Sequence, residues 1–216
     1  MTNDLLLQID QLGLDVKNVI ENIDGSIDYY GDVDISGMRL DSIPLKFNNV
    51  FGKFDCSDNQ LSSLKGCPKF VDGDFYCYLN NLTDLKYGPK TICGNYICSA
   101  NKLTTLFGSP KEIHGDFVCS NNLLKNLKHC PDIINGNFIV IDNQITNSIY
   151  LPRVIKYNFI HDIRVHSQYI ENFTFIGMND YNQSANKLTE LSDDLLDELG
   201  DYDPNSIFIE TDGDAE

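Results

Sequence analysis

A period of 21 residues runs through this chain without an insertion from residue 50 to residue 154. The units read VFGKFDCSDNQLSSLKGCPKF, VDGDFYCYLNNLTDLKYGPKT, ICGNYICSANKLTTLFGSPKE, IHGDFVCSNNLLKNLKHCPDI and INGNFIVIDNQITNSIYLPRV. Glycine recurs at Gly52, Gly73, Gly94, Gly115 and Gly136, and proline at Pro68, Pro89, Pro110, Pro131 and Pro152. Asparagine recurs at Asn59, Asn80, Asn101, Asn122 and Asn143, and an aromatic ring at Phe54, Phe75, Tyr96, Phe117 and Phe138. A unit this short cannot enclose a core alone, so successive units must stack and bury one continuous interior between them. The array decays at both ends. Unit 29–49 keeps Gly31, Val33, Ile35, Leu40 and Ile43 but has Met38 in the asparagine column, and unit 155–175 has Arg164 there. Terminal repeats that face solvent on one side lose their consensus in this way.

Inside a unit the residues after the glycine alternate. Phe54 and Cys56 point one way, and Lys53, Asp55 and Ser57 the other. The pattern predicts one short strand per unit, added in parallel about 4.8 Å apart, with Leu61 and Leu64 filling the interior from the far side of the coil. The asparagine is expected to turn inward and bond backbone groups of its own turn and the next coil, because a buried amide must find partners. The glycine is expected to supply a positive φ at the corner, and the proline to stiffen the returning segment.

The order Phe54-x-Cys56-x-x-Asn59-x-Leu61-x-x-Leu64 has the form LxLxxNxLxxL, and so resembles a short-repeat leucine-rich-repeat protein. GDFYCYLNNLTDLKYGP, GNYICSANKLTTLFGSP and GDFVCSNNLLKNLKHCP are similar to the repeat units, GDFxCSxNxLTSLxGxP, of uncharacterised phage-encoded proteins. The resemblance implies a right-handed α/β-type solenoid, mostly β and extended, with a parallel sheet on its concave face. It says little about a partner, and suggests a phage accessory or host-directed protein acting in the host cytoplasm.

Three regions follow. Residues 1–28 read as an N-terminal cap of helix and hairpin: 4–23 has helical apolar spacing broken at Gly13, and Asp24-Gly25 is a turn signal. Residues 29–175 form the solenoid. Residues 176–216 read as an acidic helix and tail, with Leu188, Leu191, Leu195 and Leu199 on one helical face. Helical caps are thus expected at both ends, since an open solenoid end exposes apolar side chains and strand edge.

Charge narrows the function classes. The formal net charge is -16, and 12 acids against the single base Lys187 place -11 of it from Asp180 onward. Such a field repels a phosphate backbone, so no nucleic-acid ligand is expected. No apolar run is long enough for a membrane span, and the N-terminus lacks the basic start of a signal peptide. Cys56, Cys77, Cys98 and Cys119 share one inward column, no CxxC pair occurs, and the total of seven is odd. They read as packing thiols in a reducing cytoplasm, with no metal and no cofactor. The segment from Asp201 has Asp203 and Asn205 at calcium-loop spacing, but Ser206 replaces the glycine and Asp212 the bidentate glutamate. His161, Asp162 and His166 read as surface residues of the last unit, and no enzyme signature is present. No catalytic residue is expected.

The outward columns point to a binding surface. One runs Asp55, Tyr76, Ile97, Val118, Ile139 and Ile160; its neighbour runs Ser57, Tyr78, Ser99, Ser120 and Ile141. A solvated sheet face should be polar along its length, so a continuous apolar strip needs a cover. Tyr76, Tyr78, Ile97, Val118, Ile139 and Ile141 are the expected anchors for a partner protein, with Asp74, Asn95, Asp116 and Asn137 as a polar rim. Two other readings are a structural component that packs the strip against copies of itself or a virion protein, and an acidic inhibitor that mimics nucleic acid.

Overall fold

The computed structural model describes residues 1–146 and 150–161, and the backbone of a strand at Thr174–Phe175. The expected C-terminal helix at 188–199, the acidic tail, Arg164 and most of the last degenerate unit lie outside the described residues. The chain winds into a parallel β-solenoid with little helix.

Each turn lays down two short strands rather than the one expected. The pair before the repeat glycine (Phe70–Val71, Thr91–Ile92, Glu112–Ile113, Ile133–Ile134, Val154–Ile155) pairs in one direction of the coil. The pair after it (Phe54–Asp55, Phe75–Tyr76, Tyr96–Ile97, Phe117–Val118, Phe138–Ile139, Phe159–Ile160) pairs in another. The second set, with Val33–Asp34, makes a seven-stranded parallel sheet; the first contributes to a five-stranded and a four-stranded sheet. The extra strand follows from Val71, Ile92, Ile113, Ile134 and Ile155. This inward β-branched column fits a pleated surface and is at most 2% exposed.

Register repeats the sequence period: Phe117 lies opposite Tyr96 on one side and Phe138 on the other. The aromatic column therefore stacks through the interior, with ring centroids 5.8 Å apart for Phe54 and Phe75, and 5.5 Å for Phe117 and Phe138. Cys56, Cys77, Cys98 and Cys119, Leu61 and Leu64 with their counterparts, and the β-branched column complete one core. All seven cysteines are free thiols, and Cys93 alone is not buried. In the native protein, iodoacetamide should therefore modify one cysteine, Cys93, by peptide mass mapping; prompt labelling of Cys98 would contradict the packing.

The asparagine column is inward, as expected, but bonds backward rather than forward. Asn101 Oδ1 accepts the Leu82 N–H of the preceding coil at 3.0 Å. Its Nδ2 donates to the Cys77 carbonyl of that coil at 3.0 Å, and to its own turn at Cys98 and Ser99, at 3.2 and 3.1 Å. Asn59, Asn80, Asn122 and Asn143 repeat the set. The backward direction explains Met38. Its unit has no regular coil before it to receive an amide, and the side chain is exposed.

The repeat glycines serve closeness, not a positive φ. At Gly115 a Cβ would stand 2.7 Å from the Gly94 carbonyl carbon and 2.8 Å from the Asn95 nitrogen, so only hydrogen lets the coils approach. The left-handed corners fall elsewhere, at Asp58, Leu79, Ala100, Asn121 and Asp142, with φ between 49° and 54°.

At the N-terminus, Thr2 caps a helix at Asn3–Gln11, and Leu5 and Ile9 enter the core. Gly13, at φ 65°, breaks the helical pattern. A hairpin follows: Val19–Glu21 runs antiparallel to Ile27–Tyr29, which pairs in parallel with Phe47–Val50. Its first strand forms one edge of the five-stranded sheet. Among the described residues, no helix is long and apolar enough to cross a membrane.

Candidate functional site

Because strand side chains alternate, the core takes Phe117 and Cys119 and the opposite face receives Val118 and Ser120. Down the seven-stranded sheet this outward set forms a second hydrophobic cluster, separate from the core: Tyr76, Ile97, Val118, Ile139, Ile141 and Ile160. Tyr78 packs against it, half-buried. The structure thus brings all six expected anchors together and adds Ile160. They are not open to solvent: Tyr76 is 9% exposed, Ile97 1%, and Val118 and Ile139 0%.

Two serines share this face. The Ser99 and Ser120 side chains are buried beside Ile97 and Val118, and neither hydroxyl has a hydrogen-bond partner. A buried hydroxyl without a partner costs roughly 1–3 kcal/mol. Their counterpart Ser57 differs: its N–H and Oγ both donate to Asp55 Oδ1, at 3.0 and 2.6 Å. Ser36 bonds Asp34 in the same way, and these bonds hold the Asp34 carboxyl below the usual range against the opposing effect of burial.

The lower end of the strip is polar. The Tyr76 hydroxyl donates to Asp74 Oδ2 at 2.8 Å, Lys53 Nζ lies 5.2 Å from the Tyr76 ring centroid, and the same ammonium pairs with Asp55 at 3.5 Å. The face therefore changes along the solenoid axis, from charged and aromatic at Asp55 and Tyr76 to mostly aliphatic at Val118, Ile139 and Ile141.

The expected polar rim has a structural task. Asp74 Oδ1 accepts the Asn95 N–H at 2.6 Å, Asn95 Oδ1 the Asp116 N–H at 2.8 Å, and Asp116 Oδ1 the Asn137 N–H at 2.5 Å. Asp32 does the same for Lys53 at 2.7 Å. This is a second side-chain ladder along the glycine column, committing one oxygen of each rim residue to the next coil. Sequence reasoning assigned these residues to an interface. The signal for their ladder was present, as an Asp or Asn directly after the glycine in five of the six units from 29 to 154.

Among the described residues the histidines do not converge. His114 lies 3.7 Å from Glu112, His129 stands edge-on to Phe107, and His161 lies against Phe159, while Asp162 and His166 are outside the described residues. Among the described residues, no group of three His, Cys, Asp or Glu side chains is placed to hold a metal ion. Compared with known proteins, the chain matches no family model, no curated protein and no solved structure.

Proposed function

We propose that this chain is a non-enzymatic protein-interaction module whose partner engages the outer face of the seven-stranded sheet. The observation that carries the reading is the buried aliphatic strip at Ile97, Val118, Ile139 and Ile141, with the unpartnered hydroxyls of Ser99 and Ser120 beside it. A protein that supplies both aliphatic side chains and hydrogen-bonding groups fits this face. Since the anchors are buried, a partner must take the place of whatever covers them in the free chain. The leucine-rich-repeat resemblance supports the same reading, as does the phage-like repeat unit for a host-directed or accessory role.

The test compares wild type with Ile97→Ser/Val118→Ser in affinity capture from bacterial lysate, after circular dichroism and light scattering establish fold and mass. A partner kept by wild type and reduced at least tenfold by a folded double variant supports the reading. Equal recovery moves the site off this face. A wild-type mass that rises with concentration, and falls to the monomer in the variant, favours the self-assembling alternative.

A further inference from the structure

A different corner of the coil gathers positive charge. Two columns flank the proline turn: Lys65, Lys86 and Lys128 in one, and Lys69, Lys90, Lys111 and Arg153 in the other. These seven are drawn from 16 Lys and Arg in a chain of net charge -16. All are exposed, and the coils that carry them stack in register through the seven-stranded sheet. Charge of one sign repeated at successive turns, about 4.8 Å apart, is self-repulsive. Carboxylates near enough to pair are scarce here. Lys111 meets Asp132 at 3.7 Å, whereas Lys65, Lys69, Lys86, Lys90, Lys128 and Arg153 form no ion pair among the described residues.

Aromatic side chains interleave with the charges. Tyr87 and Tyr150 occupy a left-handed corner shared with Gly66, Gly108 and His129, and Phe107 replaces a lysine of the first column. Tyr87, Phe107 and Tyr150 are all about half exposed. Phe107 and His129, in edge-on ring contact at 5.5 Å, form part of the wall of a shallow cleft of about 300 Å³ that Lys86, Lys90, Lys111 and Ser109 also line. The Ser109 hydroxyl is buried without a hydrogen-bond partner. Lys90 Nζ is held at its rim by the Gly108 carbonyl at 3.3 Å, and Lys86 Nζ lies 4.9 Å from the Tyr87 ring centroid.

We propose that this corner is a second docking surface, for an extended acidic polypeptide segment whose carboxylates lie along Lys86, Lys90 and Lys111 and whose apolar side chains enter the cleft at Phe107 and His129. Charge complementarity selects the anion. The mixture of ammonium and aromatic groups, with Glu112 and Asp132 interrupting the edge, selects a peptide of mixed acidic and apolar residues over a uniformly charged phosphate backbone, which the net charge of -16 repels. The surface is distinct from the outer face of the seven-stranded sheet and does not depend on the function proposed for it.

The test is fluorescence anisotropy with the full chain at low salt, using a labelled 16-residue peptide of alternating glutamate and leucine, and a labelled 20-residue oligothymidine. Wild type should bind the peptide, with affinity falling steeply between about 50 and 200 mM salt. Lys86→Glu/Lys90→Glu should weaken binding at least tenfold. The control Lys17→Glu/Lys102→Glu, which makes the same charge change elsewhere, should weaken it less than threefold. Lys86→Ala/Lys90→Ala, if it keeps the wild-type melting temperature, should also lose most of the affinity, so a misfolded reversal variant leaves the question decidable. No peptide binding, equal losses in the reversal and control variants, or tighter binding of the oligothymidine would overturn the proposal.

Discussion

Asn101→Ala lowers the stability of the folded chain by about 3 kcal/mol or more, a loss that urea unfolding at neutral pH can read directly. The amide serves four backbone groups at 3.0 to 3.2 Å: the Leu82 N–H and the carbonyls of Cys77, Cys98 and Ser99. Asn101 is 8% exposed, so water cannot replace the amide at most of these positions, and each buried group left unpaired costs about 1–3 kcal/mol. Two of the four belong to the preceding coil, so the substitution weakens the interface between coils as well as the turn. In a stacked array such an interface term is what makes neighbouring repeats unfold together. A broadened or two-step transition is therefore expected beside the lower midpoint. An Asn101→Ala protein that unfolds at the wild-type urea concentration, with an unchanged slope, would show that the ladder carries no stability.

Stability should also fall steeply above pH ~8.5, where thiols of the unfolded chain begin to ionise. Burial, the leading cause, raises Cys67, Cys77, Cys98 and Cys119 well above the ordinary thiol range, with neighbouring thiols adding to it, and pushes Cys130 up to about 12. Burial likewise raises the Tyr96 hydroxyl. The folded chain therefore keeps these protons while the unfolded chain releases them. The unfolded state then binds fewer protons, so the free energy of unfolding declines as pH rises. The stabilisation is fully present below the unfolded thiol value and is lost as pH climbs toward the folded ones. Each thiol contributes a slope of about 1.4 kcal/mol per pH unit once its unfolded form is ionised, so the five give on the order of 7 kcal/mol per unit. Domain stabilities of roughly 5–15 kcal/mol cannot withstand that for long, and unfolding near pH 10 is expected. Urea midpoints measured from pH 7 to 10 should fall, and Cys77→Ala/Cys98→Ala should fall about three-fifths as steeply from a lower starting point. A flat profile would mean that the thiol column is open to water.

Much of this was legible because periodicity multiplies each signal. One asparagine at an inward position is ambiguous, whereas Asn59, Asn80, Asn101, Asn122 and Asn143 at one spacing declare a ladder, and the outward apolar set was visible by the same logic. The second strand of each turn was not read. Pairs such as Thr91–Ile92 and Glu112–Ile113 offer only one inward residue each, too little alternation to mark a strand without its neighbours above and below. The glycines were assigned the wrong task because a sequence shows that a side chain is missing, and not whether φ or proximity excludes it. The rim residues Asp74, Asn95 and Asp116 looked like interface for a similar reason: an exposed polar column and a hydrogen-bonded one are spelled alike.

The sequence by itself determined the period, the inward and outward sets, the thiol column and the existence of an apolar face that needs a cover. These are consequences of composition at fixed spacing, and the hydrophobic effect and polar satisfaction act on composition directly. Tertiary structure alone decided that each turn pairs twice and that the asparagine amides reach backward. It also decided that Ser99 and Ser120 end buried without partners beside the strip, and that Lys86, Lys90 and Lys111 line one cleft with Phe107 and His129. Each depends on which atoms come within a few ångströms across coils 21 residues apart, a distance the stacking sets and no single unit encodes.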